Sequence, residues 1–146
     1  GNPEASDEQL WQALEIAQAR DFVEAMPERL EAEIAQGGTN VSGGQRQRLA
    51  IARALVKRPE IYIFDDSFSA LDTATDARLR QALARDVGDA TMIVVAQRVS
   101  TIMHADQIVV LDHGTIVGLG PHRELLETSA EYREIVESQL TAEDAA

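Results

Sequence analysis

Apolar positions recur at helical spacing near the start of the chain, where Leu10, Trp11, Leu14, Ile16 and Ala17 lead to Arg20. This pattern predicts an amphipathic helix with Trp11 on its packed side. Ser6, with Gln9 three residues on, has the form of a capping box that would start it. Asp21 to Met26 reads as a second, short helix that Pro27 interrupts. Glu28 to Ala35 is acidic and weakly periodic, and Gln36-Gly37-Gly38-Thr39-Asn40 has the composition of a loop. From Gln45 to Lys57 the helical period returns, with Leu49, Ile51, Ala52, Ala54, Leu55 and Val56 on one broad side. Arg46, Arg48, Arg53 and Arg58 fall mostly elsewhere, as on a solvated, ion-paired face, and Pro59 ends the pattern.

The period then changes. Ile61-Tyr62-Ile63-Phe64 is a continuous apolar run closed by Asp65-Asp66, which predicts a parallel strand buried on both faces. Ser67 to Asp72 is a polar turn, and Ala74 to Val87 is a helix with Leu79, Leu83 and Val87 on one stripe. Met92 to Ala96 is a second buried strand, ending at Gln97-Arg98, and Val99 to His104 makes one or two helical turns. Ile108 to Leu111 and Thr115 to Leu119 flank the turn Asp112-His113-Gly114 and predict a hairpin. After Gly120-Pro121, His122 to Glu127 and Ser129 to Leu140 read as terminal helices, with the tail from Thr141 expected to fray. Strands that alternate with helices give an α/β class.

Composition narrows the picture. The chain has 146 residues, enough for a real core, and with 4% aromatic residues that core is expected to be aliphatic. A net charge of −12 argues against nonspecific nucleic-acid binding, which needs a basic surface. The absence of cysteine excludes a disulfide framework, a thiolate zinc site and a thiol nucleophile, and fits a reducing compartment. The longest apolar run, Met92 to Ala96, is far too short to span a bilayer, and no signal peptide is visible, so the chain itself is expected to be soluble. It starts at Gly1 rather than Met, as a processed product or an excised piece would.

Candidate chemistry sits in two places. Val41-Ser42-Gly43-Gly44-Gln45 precedes a helix, whose first backbone N–H groups lack intrahelical partners and carry the positive end of the helix dipole. Gly43 and Gly44 have no side chain to keep a phosphate from that backbone, and Ser42 can cap the helix or donate to the anion. Alone, these residues equally describe a Gly-rich turn ahead of a helix. The second place is Asp65-Asp66, at the carboxyl end of a strand, where open α/β sheets bind ligands. Adjacent aspartates on a strand point to opposite sides, so one can hold Mg²⁺ while the other faces a different part of the site. Lys57 is the single lysine and follows no Gly-rich loop, so no G-x-x-x-x-G-K-[ST] phosphate cradle is present.

In this order and spacing the pieces resemble the carboxy-terminal half of the nucleotide-binding domain of an ATP-binding cassette (ABC) transporter, a P-loop NTPase-type α/β fold. Val41 to Gln45 resembles the family signature, Ile61 to Asp65 the Walker B strand, and Ser69 to Asp72 the D-loop. Asp112 to Gly120, His122, Glu124, Leu125 and Tyr132 to Gln139 resemble the export branch. The resemblance implies that residues 1–45 belong to the helical subdomain and 46–146 to the ATPase core. It places the Walker A strand, an adenine-stacking aromatic and the Q-loop glutamine ahead of Gly1. ATP and Mg²⁺ are the implied ligands, with Asp65 on the metal and Asp66 and Gln97 at the catalytic positions. Ser42, Gly43, Gly44, Gln45 and Asp72 are the implied nucleotide-binding residues.

In this family two domains pair head to tail, each signature completing the other's site. Three positions depart from the pattern. Asp66 stands where the family usually has the water-activating glutamate, Gln97 replaces the switch histidine, and Gln36 replaces a glutamate before the signature. A carboxylate one methylene shorter weakens a general base, and an amide cannot carry an imidazolium charge. A near-intact signature, with Val41 for the usual Leu, beside a weakened base and switch resembles the degenerate-site half of a heterodimeric exporter. Its partners would be a second nucleotide-binding domain and the transmembrane domains, at the cytoplasmic face of the membrane. Two other classes remain open, a chromosome-maintenance or DNA-repair type ATPase and a non-catalytic interaction module.

Overall fold

A computed structural model describes residues 1–143 as two compact units, Gly1–Val95 and the chain from Ala96 onward. In the first unit, α1 (Asp7–Ile16), α2 (Arg20–Glu24) and short 3₁₀ turns lead to α3 (Gly43–Leu55). Then follow β1 (Ile61–Asp65), α4 (Thr73–Asp86) and β2 (Thr91–Val95). The capping box that starts α1 is present, with the Ser6 hydroxyl accepting from Gln9 N–H and the Gln9 side chain accepting from Ser6 N–H. A second capping box sits at Ser42 and Gln45. It draws the start of α3 back to Gly43, two residues earlier than the apolar period indicates. Pro59 lies beyond the helix end, and Arg58 already has a left-handed φ of 46°.

β1 and β2 run parallel in register, with Ile61 opposite Thr91 and Asp65 opposite Val95, and α4 makes the crossover between them. Only one face of this pair is covered. Tyr62 and Phe64 are buried, whereas Ile61 and Ile63 on the other face are 57% and 70% exposed. Ile93 and Val95 of β2 are exposed as well. The expectation of a strand buried on both faces therefore fails among the described residues. A continuous apolar run reports that both faces suit an apolar environment, and not whether this stretch of chain supplies it.

The core of the first unit is also not purely aliphatic. Ala13, Leu14, Ala17 and Ala19 of the first helices meet Ile51 and Leu55 of α3 and Leu79 and Leu83 of α4 around Tyr62, Phe64 and Phe68. The Tyr62 and Phe64 rings stack with centroids 5.9 Å apart, and Phe68 tilts against Phe64 at 5.4 Å. Trp11 packs at the edge of this cluster with the Arg20 guanidinium over its ring. The chain has six aromatic residues, and three of them, Tyr62, Phe64 and Phe68, are buried in this cluster.

Arg46, Arg53 and Arg58 are exposed, as expected of a solvated face, but the arginines around α3 also make hydrogen bonds to backbone and amide groups. Arg46 donates to the Gly37 carbonyl (2.8 Å), and Arg58 donates to the Gln12 side chain (2.7 Å). Arg48 donates to the Gln18 carbonyl and lies over the Phe22 ring at 5.0 Å. These contacts tie α3 to α1, to the segment around α2 and to the Gly37-Gly38 turn, so their role is partly packing.

The second unit holds α5 (Val99–Ile102), the antiparallel pair β3 (Ile108–Asp112) and β4 (Thr115–Gly120), α6 (His122–Thr128) and α7 (Ala130–Glu143). The expected hairpin is present, and its loop is the pair His113-Gly114, both with positive φ. Two such residues make the turn whose twist matches that of paired strands. Val99, Ile108, Val110, Leu125 and Tyr132 form the core of this unit, and the Tyr132 hydroxyl pairs with His122 Nδ1 at 2.8 Å. α7 continues through Thr141 to Glu143, beyond the point where fraying was expected. The rest of the expected frayed tail, residues 144–146, lies outside the described residues.

Leu79 has no exposed surface. Leu79→Ala should therefore cost about 2–5 kcal/mol of stability in urea unfolding of this chain. Ile63→Ala, on the open face, should cost less than about 1 kcal/mol.

Candidate functional site

The two candidate places in the sequence meet in the first unit. β1 ends at Asp65, which is exposed, and Asp66 leaves the strand with a left-handed φ of 48°. Its N–H still donates to Val95 O at 3.1 Å, the last rung of the parallel pair. The two aspartates therefore do not alternate across an extended strand. Asp66 is oriented by a left-handed residue at the strand end, a conformation Asp tolerates better than most residues. The turn that follows closes on itself, because Ser69 Oγ lies 3.0 Å from Asp66 Oδ2 and 3.1 Å from Asp66 O.

The N-terminus of α3 packs on this turn. A Cβ added to Gly44 would lie 3.0 Å from Ala70 O, so a larger residue would push helix and turn apart by a few tenths of an ångström. At Gly43 a Cβ would meet only the Ala70 methyl at 3.8 Å, an ordinary contact, and the residue is exposed. Ser42 uses its hydroxyl oxygen to accept from Gln45 N–H (3.2 Å), and its carbonyl accepts from Arg46 N–H. The N–H groups of Gly43 and Gly44 are the first two of the helix, for which helix geometry provides no partner. The Gln45 side chain is turned back to Ser42 N–H at 2.9 Å.

Asp72 begins α4 as its cap, and its carboxylate accepts from Thr75 N–H at 2.9 Å. The bonds from Thr75 hold this carboxyl below its ordinary value. Gln97 lies in the second unit, exposed, between β2 and α5. Its carbonyl accepts from Gln139 Nε2 at 2.6 Å, while Gln139 Oε1 accepts from Val99 N–H at 2.8 Å. Gln139 thus fixes the backbone on both sides of Arg98. A cleft of about 460 Å³ in the first unit is lined by Gln12, Ile16, Arg58, Tyr62 and Arg85, and it contains none of the candidate residues.

Residues 3–69 match the family model described as ABC transporter. An uncharacterized ABC transporter ATP-binding protein of Mycobacterium bovis is 50% identical over 141 residues, 95% of this chain and 24% of that protein. The chain belongs to the ABC transporter ATP-binding family. A multidrug resistance ABC transporter ATP-binding and permease protein of Lactococcus lactis is 44% identical, over 93% of this chain and 23% of its own length. Among solved structures, that of a bacterial Atm1-family ABC exporter with ATP bound superposes with a TM-score of 0.90 at 37% identity. That superposition covers 94% of this chain and 24% of the exporter chain. The chain thus spans about a quarter of the length of these relatives. Membership in this ATP-binding family implies nucleotide binding. No helix among the described residues is long and apolar enough to cross a membrane.

Two neighbours of the candidate residues were not legible in the sequence, Gln47 and Gln139. Each holds a loop distant in sequence through hydrogen bonds of its side-chain amide, and no local motif marks such a residue. The sequence signal for Gln47 is its place on α3, two residues beyond Gln45.

Asp72→Asn keeps a cap acceptor and removes the titrating carboxylate. A lowered folded pKa stabilises the fold above the ordinary value of 3.8, and that contribution is lost as pH falls below 3.8 through the lowered value. Acid unfolding monitored by circular dichroism should therefore show a weaker pH dependence in this window for Asp72→Asn than for the parent chain.

Proposed function

We propose that this chain supplies the signature and Walker B side of the ATPase in an ABC exporter, and that it is the half with the weaker site of its own. The observation that carries this reading is the uncovered N-terminus of α3, held against the turn that follows Asp65 and Asp66. A phosphate oxygen has room at Gly43, where nothing but the Ala70 methyl lies within 4 Å of a Cβ position. The helix end offers backbone donors and a positive dipole to that oxygen.

Asp65 suits Mg²⁺ as a single hard oxygen ligand. No cluster of three or more metal-ligating side chains occurs among the described residues. Mg²⁺ commonly takes only one or two carboxylates and fills its shell with water and nucleotide oxygens. When bound with ATP it would neutralise charge on the β- and γ-phosphates. Asp66 occupies the position of the base, but its carboxylate is short and Ser69 Oγ lies within hydrogen-bond reach of it. That engagement, with Gln97 in place of an ionisable switch, supports a degenerate own site. Ser42, Gly43, Gly44 and Gln45 then serve the partner's site, and Asp72 supports the D-loop end of the interface. The partners are a second, non-identical nucleotide-binding domain and transmembrane domains, at the cytoplasmic face of the membrane.

Phosphoryl transfer needs a loop that cradles the β- and γ-phosphates, and this chain has no such motif. The purified chain alone should release phosphate from ATP no faster than its Asp65→Asn variant, measured as steady-state phosphate production.

In the assembled transporter, Gly43→Asp should abolish most transport and ATPase activity, while Asp66→Asn should reduce them only modestly. A Cβ at position 43 makes only an ordinary contact with the Ala70 methyl, so the effect is expected to fall on the incoming phosphate. Two like charges about 4 Å apart repel by roughly 4 kcal/mol at an interface dielectric of about 20. Full activity in Gly43→Asp with loss in Asp66→Asn would show Asp66 to be an ordinary base.

A further inference from the structure

Gln47 follows the signature on α3, and its side-chain amide spans three groups of the turn after Asp65. Gln47 Nε2 donates to Asp66 O at 3.2 Å and to Ser69 Oγ at 3.1 Å, and Gln47 Oε1 accepts from Ala70 N–H at 2.9 Å. The amide orientation is fixed by these partners. A backbone N–H can only donate and a carbonyl can only accept, so Oε1 must face Ala70 N and Nε2 must face Asp66 O. Ser69 Oγ, which accepts from Gln47, in turn lies 3.0 Å from Asp66 Oδ2. The same face of α3 brings Gly44 to within near contact of Ala70 O. A close backbone approach and a three-point amide clamp thus join one helix end to one turn.

We propose that Gln47 is a positioning residue that locks the signature end of α3 to the Asp66–Ala70 turn. This proposal rests on the reading of the chain as half of an ABC ATPase. In that pairing, the Gly43 and Gly44 N–H groups face the partner's nucleotide, while Asp65 and Asp66 face this chain's own. Gln47 touches neither nucleotide. It fixes the helix end in the orientation needed at the partner's site and makes the two sites move together through one contact. Loss of the clamp leaves α3 capped by Ser42 and anchored by Arg48, so the helix persists but its end is free to shift.

The consequence is a split between binding and turnover. A misplacement of about 1 Å in a group that acts only when the site closes can cost up to about a hundredfold in rate. Nucleotide affinity set by the partner's own residues is not touched by Gln47.

The test uses the assembled transporter, with ATPase kinetics and thermal unfolding measured on the same preparations. Gln47→Ala is expected to lower kcat by about ten- to a hundredfold with KM within about twofold. Gln47→Glu keeps the acceptor for Ala70 N–H but sets a carboxylate against Asp66 O, and only its protonated form can donate there. Its activity relative to the parent is therefore expected to recover as pH falls from about 8 to about 5.5, towards the carboxyl range. The parent and Gln47→Ala define the baseline for that profile. Turnover by the parent together with an unchanged kcat in Gln47→Ala overturns the clamp alone. A loss of activity that follows the loss of thermal stability, with no recovery of Gln47→Glu at low pH, also overturns it, because Gln47 would then serve only the fold. Absence of turnover in the parent transporter overturns the ATPase reading itself.

Discussion

The approach of α3 to the turn after β1 is the contact on which the candidate site depends. It is closest at Gly44, where an added Cβ would lie only 3.0 Å from Ala70 O and would push the turn back. It requires a reversed chain at Asp66, whose φ is positive. It also requires a donor–acceptor side chain of the right reach, which Gln47 provides. Each is modest alone. Together they bring the helix end and the strand end, the two places where this fold presents charge-stabilising groups, against one another.

Behind this contact stands the cluster of Tyr62, Phe64 and Phe68. The rings occupy the buried side of β1 and continue into the turn, so the core reaches directly beneath Asp65 and Asp66. Large rings bury more area than aliphatic side chains and restrict one another's orientation. A two-stranded sheet has little stability of its own, so the helices packed on these rings carry most of the order of the first unit. The opposite face leaves Ile61, Ile63, Ile93 and Val95 exposed in this stretch of chain.

Glutamine amides recur as fasteners in both units. Gln47 fastens the turn after Asp65 in the first, and Gln139 fastens the backbone from Gln97 to Val99 in the second. An amide donates and accepts at once, so it can satisfy a carbonyl and an N–H of an irregular segment without introducing charge. Loops that must hold a fixed shape beside phosphate groups suit such neutral fasteners, because an added carboxylate would repel the ligand.

The sequence by itself determined what depends on near neighbours. The capping box at Ser6, the helix over α4, the two apolar strand runs and the His113-Gly114 hairpin rest on residues within a few positions of one another, and each was legible as a local pattern. The family was legible as well, because the stretches Val41–Gln45, Ile61–Asp65 and Ser69–Asp72, which resemble its motifs, keep a fixed order along the chain. The tertiary structure alone decided the rest. Asp66 does not alternate with Asp65, since the strand stops one residue early. β1 is covered on one face, which no apolar run can specify. Arg48 reaches Gln18, Gln47 reaches Ala70 and Gln139 reaches Gln97 across long stretches of sequence. Such partners are chosen by the way packed elements bring distant backbone groups within hydrogen-bond distance, and polar residues at those positions carry no periodicity that would announce them.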